Sequence, residues 1–147
     1  MEETNTMALR RKTLLGTAAV IGVASLTVTA HAATSDVEPS ALVFDKAISN
    51  NAVAVEYVHL PSNGYVAVYR SDESGLPTGK PIGSTNLDAG DHRKIQVELT
   101  DQPKAGEQLW VSLYRDADGK PTFDPGAGDE PLWAKGKQSA STAFIVR

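Results

Sequence analysis

The chain has 147 residues, with 14 basic and 18 acidic side chains, a formal net charge of −4 and no cysteine. This composition excludes disulfides, Cys-ligated zinc or copper, c-type haem attachment and lipidation at a lipobox cysteine. A surface of negative sign repels polyphosphate, which argues against nucleic acid as a partner.

The first expected element is an export leader. Arg10, Arg11 and Lys12 give a basic start, and Leu14 to Val28 form an uncharged run of 15 residues. Ala30-His31-Ala32 then presents the small-x-small pattern that signal peptidase cuts after. The run is shorter than the roughly 20 residues a spanning helix needs, and Gly16, Thr17, Gly22, Ser25 and Thr27 dilute it. A weakly apolar stretch behind an arginine pair resembles a twin-arginine signal. Leu14 fits that motif, whereas Leu9 and Thr13 depart from it, and an ordinary Sec signal is the alternative. The expected organisation is a signal peptide over 1–32, a polar lead-in over 33–40 and one domain over 41–147. The expected product is exported (periplasmic, cell-surface or extracellular) with no integral membrane segment after cleavage. Both methionines, Met1 and Met7, would leave with the leader, which removes any thioether ligand for copper.

After the lead-in, no segment sustains a 3.6-residue apolar period. Short β-branched and aromatic runs recur instead, separated by Gly, Pro, Asn and Asp. Leu42 to Ile48 is the first expected strand. Ala52 to Leu60 is the second, with Val53, Val55, Tyr57 and His59 on one face. Pro61-Ser62-Asn63-Gly64 reads as a turn closing a hairpin with Tyr65 to Arg70. Leu76-Pro77-Thr78-Gly79 resembles a wall-sorting signal but lacks its variable residue, and is read as a turn. A short strand follows around Pro81 to Ser84. Ile95 to Leu99 alternates, with Ile95, Val97 and Leu99 inward. Leu109 to Tyr114 and Ala143 to Val146 complete about seven strands, which predicts an all-β fold, a single antiparallel β-sandwich. The Ig-like label is architectural only, because the Cys–Trp–Cys core is absent; an incomplete barrel is the rival.

Several short motifs follow one another in a recognisable order. They are Leu60-Pro61-Ser62-Asn63-Gly64-Tyr65-Val66-Ala67-Val68, Ile82-Gly83-Ser84 and Leu87-Asp88-Ala89-Gly90-Asp91-His92. Val97-Glu98-Leu99 and the acidic run from Asp116-Ala117-Asp118-Gly119 through Phe123-Asp124 come next. This order resembles DUF7282, a secreted β-domain of unknown function best represented in halophilic archaea, over about Val53 to Phe144. The resemblance implies export and a small β-sandwich, and it implies no activity. The archaeal members are more acidic over their whole surface than this chain.

The segment Asp116 to Glu130 concentrates five acids against Lys120 alone. Carboxylates two apart on a tight turn can converge on a hard cation, so Asp116, Asp118 and Asp124 are the candidate metal ligands. They fall at positions 1, 3 and 9 of an EF-hand template, but Lys120, Pro121 and Ala127 break positions 5, 6 and 12. The loop is therefore not an EF-hand. The competing readings are a solvated acidic turn and a weak calcium site of the extracellular, roughly 10⁻⁴–10⁻³ M class.

His59 and His92 are the remaining candidates. His59 reads as a partly buried packing residue and His92 as part of a polar turn after Asp91, with no metal-ligand spacing between them. A hydrolase could be assembled from His92, Asp91 and a serine, but no Gly-x-Ser-x-Gly, Ser-x-x-Lys or His-Glu-x-x-His fixes one. Trp110 and Tyr114 share the face opposite Leu109, Val111 and Leu113. They would either stack on a sugar or partner, or lie under the loop that carries Trp133. The function expected is an exported, non-enzymatic module that binds or supports a surface or extracellular partner, without a cofactor unless the loop takes calcium. A calcium-dependent extracellular module and a small secreted hydrolase are the alternatives.

Overall fold

The computed structural model describes residues 37–46, 48–135 and 138–147. The expected leader and its cleavage site lie outside the described residues. The strands are β1 (Ser40–Leu42), β2 (Ala52–Leu60), β3 (Gly64–Ser71), β4 (Pro77–Leu87), β5 (Gly90–Glu98) and β6 (Gln108–Asp116), followed by β7 (Asp129–Pro131), β8 (Trp133–Ala134), β9 (Gln138–Ser139) and β10 (Ser141–Ile145). Every strand pair is antiparallel. Among the described residues there is no helix, as the absence of a helical period predicts.

Two sheets form the body. The smaller runs β1–β2–β5 and the larger β10–β6–β3–β4, with β7 added to β6 beyond the end of β10; β8 and β9 form a separate ribbon. Neither sheet closes into a barrel, so the architecture is the expected all-β sandwich. One core lies between the sheets. Val53, Val55, Val58, Leu60 and Val97 from the smaller sheet meet Val66, Val68, Leu109, Val111, Leu113 and Phe144 from the larger. Burying each of these side chains stabilises the fold by about 1.5–3 kcal/mol, before the entropy of ordering is subtracted.

Three sequence expectations are corrected. The first strand is Ser40–Leu42 rather than 42–48, and the stretch after it leaves the sheet to meet the chain end. There Lys46 bridges Val146, and the Ile145 N–H donates to Asp45 Oδ1 at 2.9 Å. β2 and β3 do not form a hairpin, since β2 pairs with β1 and β5 while β3 pairs with β4 and β6. A two-residue hairpin turn needs positive φ, and neither Asn63 nor Gly64 has it. Asn63 instead fastens the crossing between sheets: its side chain accepts from Ala89 N–H at 2.9 Å and its carbonyl from Asp116 N–H at 3.0 Å. Gly64 is there for close approach, because a Cβ would sit 1.9 Å from the Tyr114 carbonyl oxygen.

The third correction concerns β2. Val53 and Val55 face the core, but after Glu56 the alternation shifts, so Val58 and Leu60 become the buried pair. Tyr57 and His59 consequently lie on the outer side. The shift coincides with a special conformation across the ladder, where Lys94 adopts φ 54° between the pairs Val55–Ile95 and Tyr57–Arg93. Two further differences are extensions. β4 is longer than the expected 81–84 strand, with an irregularity in its pairing between Val68 and Arg70, and β5 begins at Gly90 rather than Ile95; the short strands β7, β8 and β9, with too few residues to show a period, are additions.

Candidate metal centre

The acidic segment begins where β6 ends and finishes in β7. The register of that pair places Tyr114 opposite Pro131, Arg115 opposite Glu130 and Asp116 opposite Asp129. Two carboxylates thus stand directly across a ladder, a placement that destabilises a sheet unless something neutralises it. Asp118 turns back towards the same point. One carboxylate oxygen from each of Asp116, Asp118 and Asp129 lies within 4.8 Å of the other two.

Each carboxylate is oriented by a backbone donor. Asp116 Oδ1 accepts from Gly119 N–H at 2.7 Å, Asp118 Oδ1 from Lys120 N–H at 2.9 Å, and Asp129 Oδ2 from Asp124 N–H at 2.7 Å. Asp129 is 2% exposed, and its Oδ1 is buried without a hydrogen-bond partner. Burying an unsatisfied oxygen costs about 1–3 kcal/mol, and more when it is charged. Gly128 makes room for the convergence, because a Cβ there would fall 2.3 Å from Asp118 Oδ2.

Among the described residues Lys120 is the one cation in direct contact, its Nζ 3.0 Å from Asp118 Oδ2. The Lys120 backbone N–H, then its ammonium, hold the Asp118 carboxyl below the usual range, and the same ion pair raises the Lys120 ammonium. Three carboxylates face one ammonium, so the formal charge left over is negative and equal in size to the charge of a divalent cation, which would neutralise it.

Asp116 and Asp118 therefore meet as the Asp-x-Asp spacing suggests, whereas Asp124 is not in the converging group. Asp124 builds the turn that delivers Asp129: its carbonyl accepts from the N–H groups of Gly128 and Asp129, both at 3.0 Å. Asp129 lies beyond the EF-hand template, which ends at Ala127. The glycines at 126 and 128 flanking that point were the signal that the chain turns back there.

The loop is packed down rather than free. Tyr65 donates its hydroxyl to the Lys120 carbonyl at 2.6 Å, and the Phe123 ring lies 5.1 Å from Tyr65 and 4.9 Å from Tyr114 between centroids. The second aromatic cluster is similarly roofed. Trp110 and Tyr114 do share the outer face, but Trp110 Nε1 donates to Gly75 O at 3.0 Å, so the covering loops are 72–76 and 117–128. Trp133 takes no part in that cover and is 59% exposed.

The histidines are not brought together. His59 pairs across the ladder with Asp91, and His92 with Val58, so the two occupy opposite faces of β2–β5. His59 Nδ1 lies 2.7 Å from Asp91 Oδ1, the same oxygen that accepts from the Tyr57 hydroxyl. His92 Nε2 instead contacts the Asp88 carbonyl at 2.8 Å. The Asp91 carboxyl is held below its usual range by the Tyr57 hydrogen bond first and by His59 second.

The sequence model of a domain of unknown function, DUF7282, matches residues 39–146, which covers both sheets and the three-aspartate corner. No curated protein and no solved structure is significantly similar to the chain.

Proposed function

The chain belongs to the DUF7282 family, and from that premise we propose that it is an exported, non-enzymatic β-sandwich module whose acidic corner holds calcium outside the cell. The observation that carries this reading is the buried, unpartnered Oδ1 of Asp129, on a carboxylate that converges with those of Asp116 and Asp118. An all-carboxylate donor set selects a hard cation over zinc or copper. Calcium–oxygen distances of about 2.3–2.6 Å place two ligands of one ion up to about 5 Å apart, which accommodates the observed spread. Bound there, calcium neutralises the Asp116–Asp129 opposition and ties β7 and the loop to β6. It is a structural ion in this reading, with no reaction assigned to it. The leader supports a role outside the cell, where calcium is plentiful, and the lack of any nucleophile motif supports a non-enzymatic one.

Melting curves in EDTA and in rising calcium test this. At free calcium 100 times the dissociation constant the stabilisation is about 2.7 kcal/mol, a rise on the order of 10 °C for a domain of this size. A melting temperature indifferent to 10 mM calcium contradicts the reading. Export is tested separately. Arg10→Lys with Arg11→Lys blocks secretion if the leader uses the twin-arginine route, and unchanged secretion assigns it to Sec. The released protein is expected to begin at Ala33.

A further inference from the structure

The outer face of the larger sheet is roofed at both ends, by the 117–128 loop over Tyr65 and by Gly75 over Trp110. Between these covers a cavity of about 310 Å³ remains. Its floor is Tyr69, Ser112 and Tyr114 on β3 and β6, one wall is Thr78, and the opposite wall is Ser139 and Ser141. Pro77 and Pro131 flank it as apolar shoulders.

The hydroxyls are joined in two chains. Ser112 Oγ is 2.9 Å from Ser141 Oγ, which is 3.2 Å from Ser139 Oγ. The Tyr69 and Tyr114 hydroxyls are 2.9 Å apart. A hydroxyl offers one donor and two acceptor positions, so each chain keeps one O–H donor and several acceptor positions to spare. Among the described residues, no carboxylate, ammonium or guanidinium lines the cavity. Burial, with the Tyr114 hydrogen bond second, pushes the Tyr69 phenol far above its ordinary value, so that hydroxyl stays neutral at any physiological pH.

We propose that this cavity is a binding site for one neutral sugar residue. A sugar ring carries hydroxyls that both donate and accept around an apolar C–H face. The cavity offers rotatable hydroxyls of both roles beside tyrosine rings and proline, a combination suited to adaptable polar recognition at small entropic cost. Its volume lies at the bottom of the roughly 300–1,000 Å³ range of small-ligand sites, which fits a single ring. The lack of charged lining disfavours phosphate, carboxylate and amine ligands, whose charge would be desolvated without a partner. None of the three aspartates lines the cavity, so the site stands apart from the calcium reading and is expected to bind in calcium and in EDTA alike.

The test is an amide chemical-shift titration of the domain with methyl α-glucoside, methyl α-mannoside, methyl β-galactoside and N-acetylglucosamine, and with glucuronate and glucosamine as charged comparators. At least one neutral sugar is expected to shift Ser112, Tyr114 and Ser141 saturably, with a dissociation constant on the order of 1 mM. The charged comparators are expected to bind at least about tenfold more weakly. Ser141→Ala, which removes the middle hydroxyl of one chain, should weaken binding about tenfold. Ser139→Trp, at an exposed position, should fill the cavity and abolish binding with an unchanged melting temperature. The proposal is overturned if no neutral sugar saturates, if the shifts map elsewhere, or if a melt-neutral Ser139→Trp leaves binding intact.

Discussion

Val66, Val68, Leu109, Val111, Leu113 and Phe144 line the inner face of the β10–β6–β3–β4 sheet, each no more than 2% exposed and none carrying a polar atom. The outer face of the same strands presents Tyr65, Tyr69, Trp110, Ser112 and Tyr114, tied by hydroxyl and indole hydrogen bonds to one another or to loops. The inner face works through non-directional burial, where shape and volume count. The outer face works through directed contacts, in which one atom fixes where a loop lies. The contrast separates what makes the domain fold from what gives it a site. Asp116 and Asp129 sit where the outer-face loop leaves and rejoins the sheet, so the directed contacts converge on the acidic corner.

Substitutions on the two faces should differ in kind as well as size. Leu113→Ala on the inner face is expected to cost about 2–5 kcal/mol, read as a lower urea midpoint, because the cavity cannot collapse between paired strands. A loss below 1 kcal/mol would mean that the inner face is loosely packed. Tyr65→Phe removes only the hydroxyl that holds Lys120 O, and should cost about 0.5–1.5 kcal/mol. Its signature is faster amide exchange across 117–128 with the core strands still protected. Uniform loss of protection would erase the distinction between the faces.

Acid provides a gentler probe of the polar contacts. The Ile145 N–H and then Arg147 lower the Asp45 carboxyl, Lys46 lowers Glu56, Tyr57 and then His59 lower Asp91, and Lys120 lowers Asp118. A carboxyl depressed in the folded state adds stability above its ordinary value, 3.8 for aspartate and 4.5 for glutamate, and loses it as pH falls through the folded value. In EDTA the melting temperature should therefore be level above about pH 5.5 and fall below about pH 4. These groups are partly or fully exposed, so the fall should be shallow, and salt should flatten it further. A decline that starts at neutral pH would point to a different group.

The smallest effect expected in EDTA is that of Asp129→Asn. It keeps the oxygen that accepts from Asp124 N–H and relieves the like-charge opposition with Asp116, so stability should be unchanged or rise by a few tenths of a kcal/mol. A loss above 1 kcal/mol would mean that the buried carboxylate supports the fold without a cation.

The period-2 runs at 95–99, in β6 and in the first half of β2 made the inner face legible, because alternation of Val and Leu is dictated by which side of a sheet is dry. Register was not legible where conformation overrode pattern. Asn63-Gly64 carries a hairpin signature yet serves a crossing between sheets, since the close approach of Gly64 to Tyr114 leaves no trace in the local sequence. The shift after Glu56 lies opposite the positive φ of Lys94, far along the chain on the partner strand. At the acidic corner the local Asp116–Asp118 pair was readable from spacing. Asp129 was not, because it reaches the corner through the β6–β7 register. Whether Trp110 was covered, and by which loop, was likewise a tertiary matter.

On the proposed function, Asp116, Asp118 and Asp129 hold one calcium ion and Asp124 only shapes the turn. Isothermal calcium titration of the wild-type domain beside Asp129→Asn and Asp124→Asn tests it most directly. The account predicts one site in the wild type with a dissociation constant on the order of 10⁻⁴–10⁻³ M. Asp129→Asn should weaken it by at least tenfold, whereas Asp124→Asn should change it less than threefold. No calcium heat in the wild type, or equal losses in the two variants, would contradict the claim.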